Sequence, residues 1–151
     1  MLFNKPKDIF SPEQQGMIIS AINEAEMQTS GEVKVHVEPF CKTDPMQRAL
    51  QVFDELELHH TAQRNGVLFY LAYEDHKFAI LGDEGIHHKV GQNFWDTTKE
   101  KMAAHLKKGE YTEALCEGVK MAGEQLKAYF PYAHDDKNEL SNDISFGGHN
   151  A

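Results

Sequence analysis

Residues 67–86, VLFYLAYEDHKFAILGDEGI, decide the fold. VLFYLAY is an unbroken apolar run with β-branched and aromatic side chains, the pattern of a central strand covered on both faces. YEDHK is a short polar hairpin loop, and KFAILGD returns as the next, antiparallel strand. That strand stops on Asp83 and Glu84, held between Gly82 and Gly85. Two acids at a sheet edge read either as a turn into the next segment or as part of a site.

Upstream, EVKVHVE (32–38) alternates, with Val33, Val35 and Val37 on one side and Lys34 and His36 on the other. This predicts a half-covered strand near the sheet edge. Helix signals flank it. SPEQQGMIISAINEAEMQTSG (11–31) opens on Ser11 as N-cap, Pro12 at the first helical position and Gln14 closing a capping box. Ile18, Ile22 and Ala25 fall on one face, and Gly31 marks the far end. DPMQRALQVFDELELHH (44–60) opens on Asp44 and Pro45 and predicts an apolar stripe of Leu50, Phe53 and Leu56. After the hairpin, one helical stretch carries Phe94, Trp95, Met102 and Leu106, and another carries Leu115, Val119, Leu126 and Phe130 before Pro131. The aromatic group Phe94, Trp95, Phe130 and Tyr132 reads as core.

The order helix, strand, helix, strand, strand, helix, helix predicts an α/β fold, a three-layer α/β/α sandwich with a small mixed sheet flanked by helices. The domain is expected over residues 1–132. Residues 133–151 hold few apolar side chains with no sustained periodicity, so they read as a disordered polar tail that cannot offset its ordering entropy.

Composition narrows the function classes. A chain of 151 residues with 40% apolar content suits one domain with a real core. A formal charge of −9 opposes non-specific attraction to phosphate backbones, so nucleic acid is not an expected partner. Cys41 and Cys116 form no Cys-x-x-Cys pair and read as reduced, structural thiols. MLFNKPKDIF holds no apolar run of signal-peptide length, and no stretch reaches about 18 apolar residues. These features predict a cytoplasmic protein with no transmembrane segment of its own.

Topology says where the acids go. About 26 residues containing a helix join the first strand to the second, enough for a right-handed parallel crossover, while a hairpin joins the second to the third. The starts of strands one and two and the end of strand three therefore share one edge. Thr29, Ser30, Gly31 and Glu32 meet Arg64, Asn65 and Gly66 there, and both meet Gly82, Asp83 and Glu84. Such a rim suits a hard cation held by Glu32, Asp83, Glu84 and carbonyl oxygens, or a phosphate beside the planar fork of Arg64. It equally suits a structural reading in which Asp83 caps the next segment and Arg64 is its counter-ion, or that of Glu32.

TSGEVKVHV, then TAQRNGVLFYLAYEDHKFAILGDEGI, FW and FPY, resemble the TPM domain family over about Ser11 to Tyr132. The resemblance implies an α/β/α sandwich on a mixed sheet of about four strands, one more than the sequence pattern locates. It further implies an acidic sheet-edge groove able to bind Ca²⁺, and an acid phosphatase activity in plant members. Many relatives carry a secretory signal and a membrane anchor. The family's Asp-Asn-Gly turn falls on Arg64, Asn65 and Gly66, so a base replaces an acid, and Glu32, Asp83 and Glu84 remain as candidate metal ligands.

Nine histidines raise Zn²⁺ as a weaker candidate, chiefly His59-His60 and His87-His88, which flank two of the rim loops. Adjacent residues on a helix point about 100° apart, so at most one of each pair faces a given site. His36, His76 and His105 read as surface residues. No phosphate-binding loop, serine-hydrolase elbow or zinc-protease motif occurs. Two functions follow: a binding module, serving a protein partner, membrane-associated or not, with a cleft of Ser30, Glu32, Arg64, Asn65, Gly82, Asp83 and Glu84; or a metal-assisted hydrolase of phosphate esters in the same cleft.

Overall fold

The computed structural model describes residues 6–132 and 142–148. Helix α1 (Pro12–Glu26) begins as its sequence requires: Ser11 Oγ accepts from the Gln14 amide, and the Gln14 side chain accepts from the Ser11 amide. Ile18, Ile22 and Ala25 are its buried face. Strand β1 (Val33–Glu38) follows, then α2 (Pro45–Glu55), whose first turn is closed by the Asp44 carboxylate on the Met46 and Gln47 amides. Strands β2 (Val67–Ala72) and β3 (Lys77–Gly82) form the expected hairpin. Three helices come next: α3 (Glu84–Val90), α4 (Asp96–Lys107) and α5 (Tyr111–Leu126).

The sheet has the order β3-β2-β1-β4, with β1 parallel to β2 and β2 antiparallel to β3. Its fourth member, β4 (Ser145–Phe146), pairs parallel to β1 opposite His36 and Val37. This corrects the tail reading for residues 142–148: Ile144 is buried, and Phe146 packs on the main core. The rest of the expected tail, 133–141 and 149–151, lies outside the described residues.

Two cores sandwich the sheet. Val33, Val35 and Val37 join Val67, Phe69 and Leu71 beneath α1 and α5. Leu68, Tyr70, Ala72 and Ala79 meet Ala49, Val52 and Phe53 of α2 on the opposite face. The fold is thus the expected α/β/α sandwich on a four-stranded mixed sheet.

Three local expectations change. Strand β1 is interior and buried at all six residues, because β4 covers the side left open in the sequence reading. His36 is accordingly buried, not on the surface. In α2 the buried stripe is Ala49, Val52 and Phe53, while Leu50 is exposed, so the helix sits one residue further round than the larger side chains suggest.

Candidate functional site

The predicted convergence is present. Val33 pairs with Val67 and Val67 with Gly82, so the residues preceding β1, preceding β2 and ending β3 lie together. Backbone bonds fasten them: the Val67 amide donates to Glu32 O at 2.7 Å, and the Asp83 amide to Gly66 O at 2.9 Å. Asn65 is buried and donates from Nδ2 to Ser30 Oγ at 3.1 Å, and Gln63 reaches the same oxygen at 3.2 Å. Ser30, Asn65 and Gly82 therefore form one rim.

Arg64 dominates that rim. Its φ of 51° is the left-handed region, an unfavourable one for a residue with a side chain. The turn is held by Gly85, whose amide donates to Arg64 O at 2.9 Å. A Cβ on Gly85 would lie 2.0 Å from Gln63 O and 2.6 Å from Arg64 O, so only glycine permits this approach. From there the guanidinium grips Asp83 with both edges, Nε to Oδ2 at 2.7 Å and Nη2 to Oδ1 at 2.9 Å. Nη1 reaches Glu84 Oε1 at 3.0 Å and Nη2 reaches His59 Nδ1 at 3.1 Å.

Asp83 has two further duties. It is the N-cap of α3, accepting from the Glu84 amide at 2.8 Å, so the two acids that end β3 are also a helix start. Burial works against its charge, but the Arg64 hydrogen bonds, the Glu84 amide and the nearby charges hold its carboxyl below the usual aspartate range. The same pair raises the Arg64 guanidinium.

Among the described residues, His59 is the histidine that reaches the site. Arg64 has only donors, so His59 Nδ1 accepts and Nε2 carries the hydrogen, which it gives to Asp54. His60, His87 and His88 are exposed. The sequence reading named both histidine pairs without separating them; the α2 apolar face could have done so, since His59 packs against Phe53 at 4.7 Å between ring centroids.

Glu32 belongs to a second cluster. It lies beside Glu26, whose Oε2 accepts from the Val33 amide at 2.8 Å. Burial raises the Glu26 carboxyl, and burial lowers the Lys34 ammonium beside both acids. The candidate ligands are thus divided, Asp83 and Glu84 on Arg64 and Glu32 on Glu26 and Lys34. Among the described residues, no group of three or more His, Cys, Asp or Glu side chains is placed to hold a metal ion. The rim in this arrangement does not fit a divalent cation, because the guanidinium fork already takes both Asp83 oxygens.

A second polar centre lies on the α2 face of β1, where sequence reading expected solvent. Glu38 is buried and accepts from Arg48 Nε and Nη2, both at 2.9 Å, from His36 Nε2 at 2.9 Å and from the Tyr70 hydroxyl. His36 Nδ1 meets Ser145 Oγ of β4 at 2.7 Å. Burial alone would raise the Glu38 carboxyl; the bonds from His36, Arg48 and Tyr70 overcome it and bring it to about 2. Burial, then the bond to Glu38, pushes the Tyr70 phenol up.

An α/β/α domain with acids at the turn ending its hairpin is a defined class. The family model of the TPM domain matches residues 3–125, and the chain belongs to that family. Among solved structures, it is similar to the BA42 protein from the psychrophilic bacterium Bizionia argentinensis sp. nov.. Identity is 41% over 96% of this chain and 100% of that one, with a TM-score of 0.88. The N-terminal domain of the cg2496 protein from Corynebacterium glutamicum shares the fold at 14% identity, over 94% of this chain and 82% of that one, with a TM-score of 0.61. No curated protein matches the chain. No helix among the described residues is long and apolar enough to cross a membrane.

Proposed function

We propose that this TPM domain acts as a binding module for a protein partner, free or membrane-associated, and that Arg64 serves at the sheet edge as a built-in cation. One observation carries the reading: the Arg64 guanidinium engages Asp83 twice, Glu84 once and the His59 lone pair once. Metal-assisted hydrolysis of phosphate esters would need those same groups, two as cation ligands and His59 as general base. A divalent cation such as Ca²⁺ therefore competes with Arg64 for the rim instead of joining it, and Zn²⁺ meets His59 with its Nδ1 already occupied.

The test is a backbone amide NMR titration with Ca²⁺, run beside a p-nitrophenyl phosphate assay. The wild-type amides of Asn65, Gly82 and Asp83 should remain unsaturated at millimolar Ca²⁺, and the chain should not turn over the ester. Arg64→Asp, which removes the internal cation and adds a ligand, should bind Ca²⁺ at those residues. Ca²⁺-dependent turnover by the wild type, lost in His59→Gln, would replace the binding reading with the hydrolase one.

A further inference from the structure

The Glu38 centre sits at the other end of the sheet from Arg64, and a cavity of about 390 Å³ opens beside it. Three separate pieces of chain build the walls: the loop leaving β1, the first turns of α2 and the residue Gly148 after β4. Strand β1 lies between β2 and β4, and the chain places its later strands on either side of it. The cavity is thus at the carboxyl end of the strand where the winding changes direction, the place open α/β sheets use for ligands. Its size falls within the range of small-molecule pockets, roughly 300–1,000 Å³.

The walls are fixed before any ligand arrives. Asp75 accepts from the Cys41 amide at 2.7 Å, and Lys77 Nζ donates to Cys41 O at 3.0 Å and Thr43 O at 3.2 Å, so the hairpin pins the loop. On the other side the backbone after β4 comes down on the polar centre. A Cβ on Gly147 would lie 2.5 Å from Glu38 Oε1, and one on Gly148, whose φ is 74°, would lie 2.7 Å from Pro39 Cδ.

The lining sets the ligand's chemistry. Glu38 has its charge matched by Arg48 and its oxygens filled by four hydrogen bonds, so it offers nothing to a cation. Arg48 uses three of its five N–H groups, two on Glu38 and one on Gln51, with the exposed Glu55 carboxylate 3.8 Å from Nη1. Lys42 adds a second positive charge, its Nζ 5.2 Å from the Phe40 ring centroid. Phe40 is itself 44% exposed, a large apolar side chain left uncovered at a charged mouth.

We propose that this cavity binds a small organic anion, a carboxylate or phosphate head on a compact apolar body, with the head on Arg48 and Lys42 and the body against Phe40 and Pro39. The proposal is independent of the sheet-edge reading, since the two sites lie at opposite ends of β1. The experiment is an NMR titration of the full chain with benzoate, phenyl phosphate and, as the charge-reversed control, benzylamine. Saturable shifts at Phe40, Cys41, Thr43 and Gly148 with benzoate, phenyl phosphate or both support the site, and the stronger of the two identifies the head. Lys42→Glu, at an exposed position outside the Glu38 network, should weaken that binding roughly fivefold or more, the scale of one exposed ion contact. Shifts absent at ten millimolar probe, shifts equal for benzylamine, or binding unchanged in Lys42→Glu would overturn the proposal.

Discussion

Replacing Glu38 by Gln tests the buried network through its pH dependence. In the folded chain the Glu38 carboxyl titrates at about 2 instead of the ordinary 4.5. Each pH unit of difference is worth about 1.4 kcal/mol, so the network draws about 3 kcal/mol from this one charge at neutral pH. The Glu38 side chain is only 5% exposed, so solvent screening removes little of that figure. The sign follows from the direction of the shift. A depressed carboxyl stabilises the fold fully above pH 4.5, and that contribution is lost as pH falls towards 2. Glu38→Gln should therefore lower the urea-unfolding free energy by about 3 kcal/mol at pH 7. The gap between the two proteins should narrow steadily below pH 4.5, because protonated Glu and Gln are both neutral and of one shape. Urea melts at pH 7, 5, 4 and 3 read this directly. A penalty under about 1 kcal/mol at pH 7, or one that stays constant down to pH 3, would refute the assignment of Glu38 as a charge held by Arg48, His36 and Tyr70.

Two glycines should respond in opposite directions. A Cβ on Gly123 of α5 would lie 2.8 Å from Ala25 Cα, so Gly123→Ala must part α1 from α5 and should cost about 1–3 kcal/mol in a thermal melt. Gly16, exposed in α1 with nothing within 4 Å of a new Cβ, should gain about 0.5–1 kcal/mol on Gly16→Ala. His105, bonded at 2.8 Å to both Glu110 and Glu117, is held above the ordinary 6.5 by those two carboxylates. Its contribution to stability is full below pH 6.5 and declines as pH rises through the raised value; a histidine NMR titration should find it elevated, and Glu117→Gln should move it back towards 6.5.

The elements that sequence made legible are those with local chemistry. Ser11-Pro12-Gln14 and Asp44-Pro45 specify helix starts by bonds made within four residues, and the hairpin at Tyr73–Lys77 is implied by its own polarity. Parallel pairing of β1 and β2 followed from crossover length, and with it the meeting of Ser30, Asn65 and Gly82. Strand β4 was not legible because its two residues have no pattern of their own; the Gly147 amide on Val37 O, the β1 ladder and burial of Ile144 order it. Once β4 is missing, β1 reads as a strand near the edge, and Lys34 and His36 read as its uncovered side. Alternation identifies which residues share a face, but not whether a polar face meets water or other polar groups. Glu38 and Arg48, ten positions apart on a strand and the following helix, carry no spacing signal for their pairing.

The two arginines show how one kind of contact can serve different ends. Each puts its fork on a nearly buried carboxylate, Arg64 on Asp83 and Arg48 on Glu38. At the amino end of β1 and β2 the half-exposed fork is engaged by Asp83, Glu84 and His59, and it also stabilises the start of α3 through Asp83. At the carboxyl end Glu38 also accepts from Tyr70 and His36, and Arg48, which lines the cavity, spends three of its five N–H groups on Glu38 and Gln51. Each guanidinium has its charge matched by carboxylates, so what distinguishes the Arg48 end is the second cation, Lys42, beside an open cavity with Phe40 at its mouth. Recognition by this domain is therefore expected at the Arg48 end, with the Arg64 end acting as the clasp that fixes three loops and keeps the sheet in register.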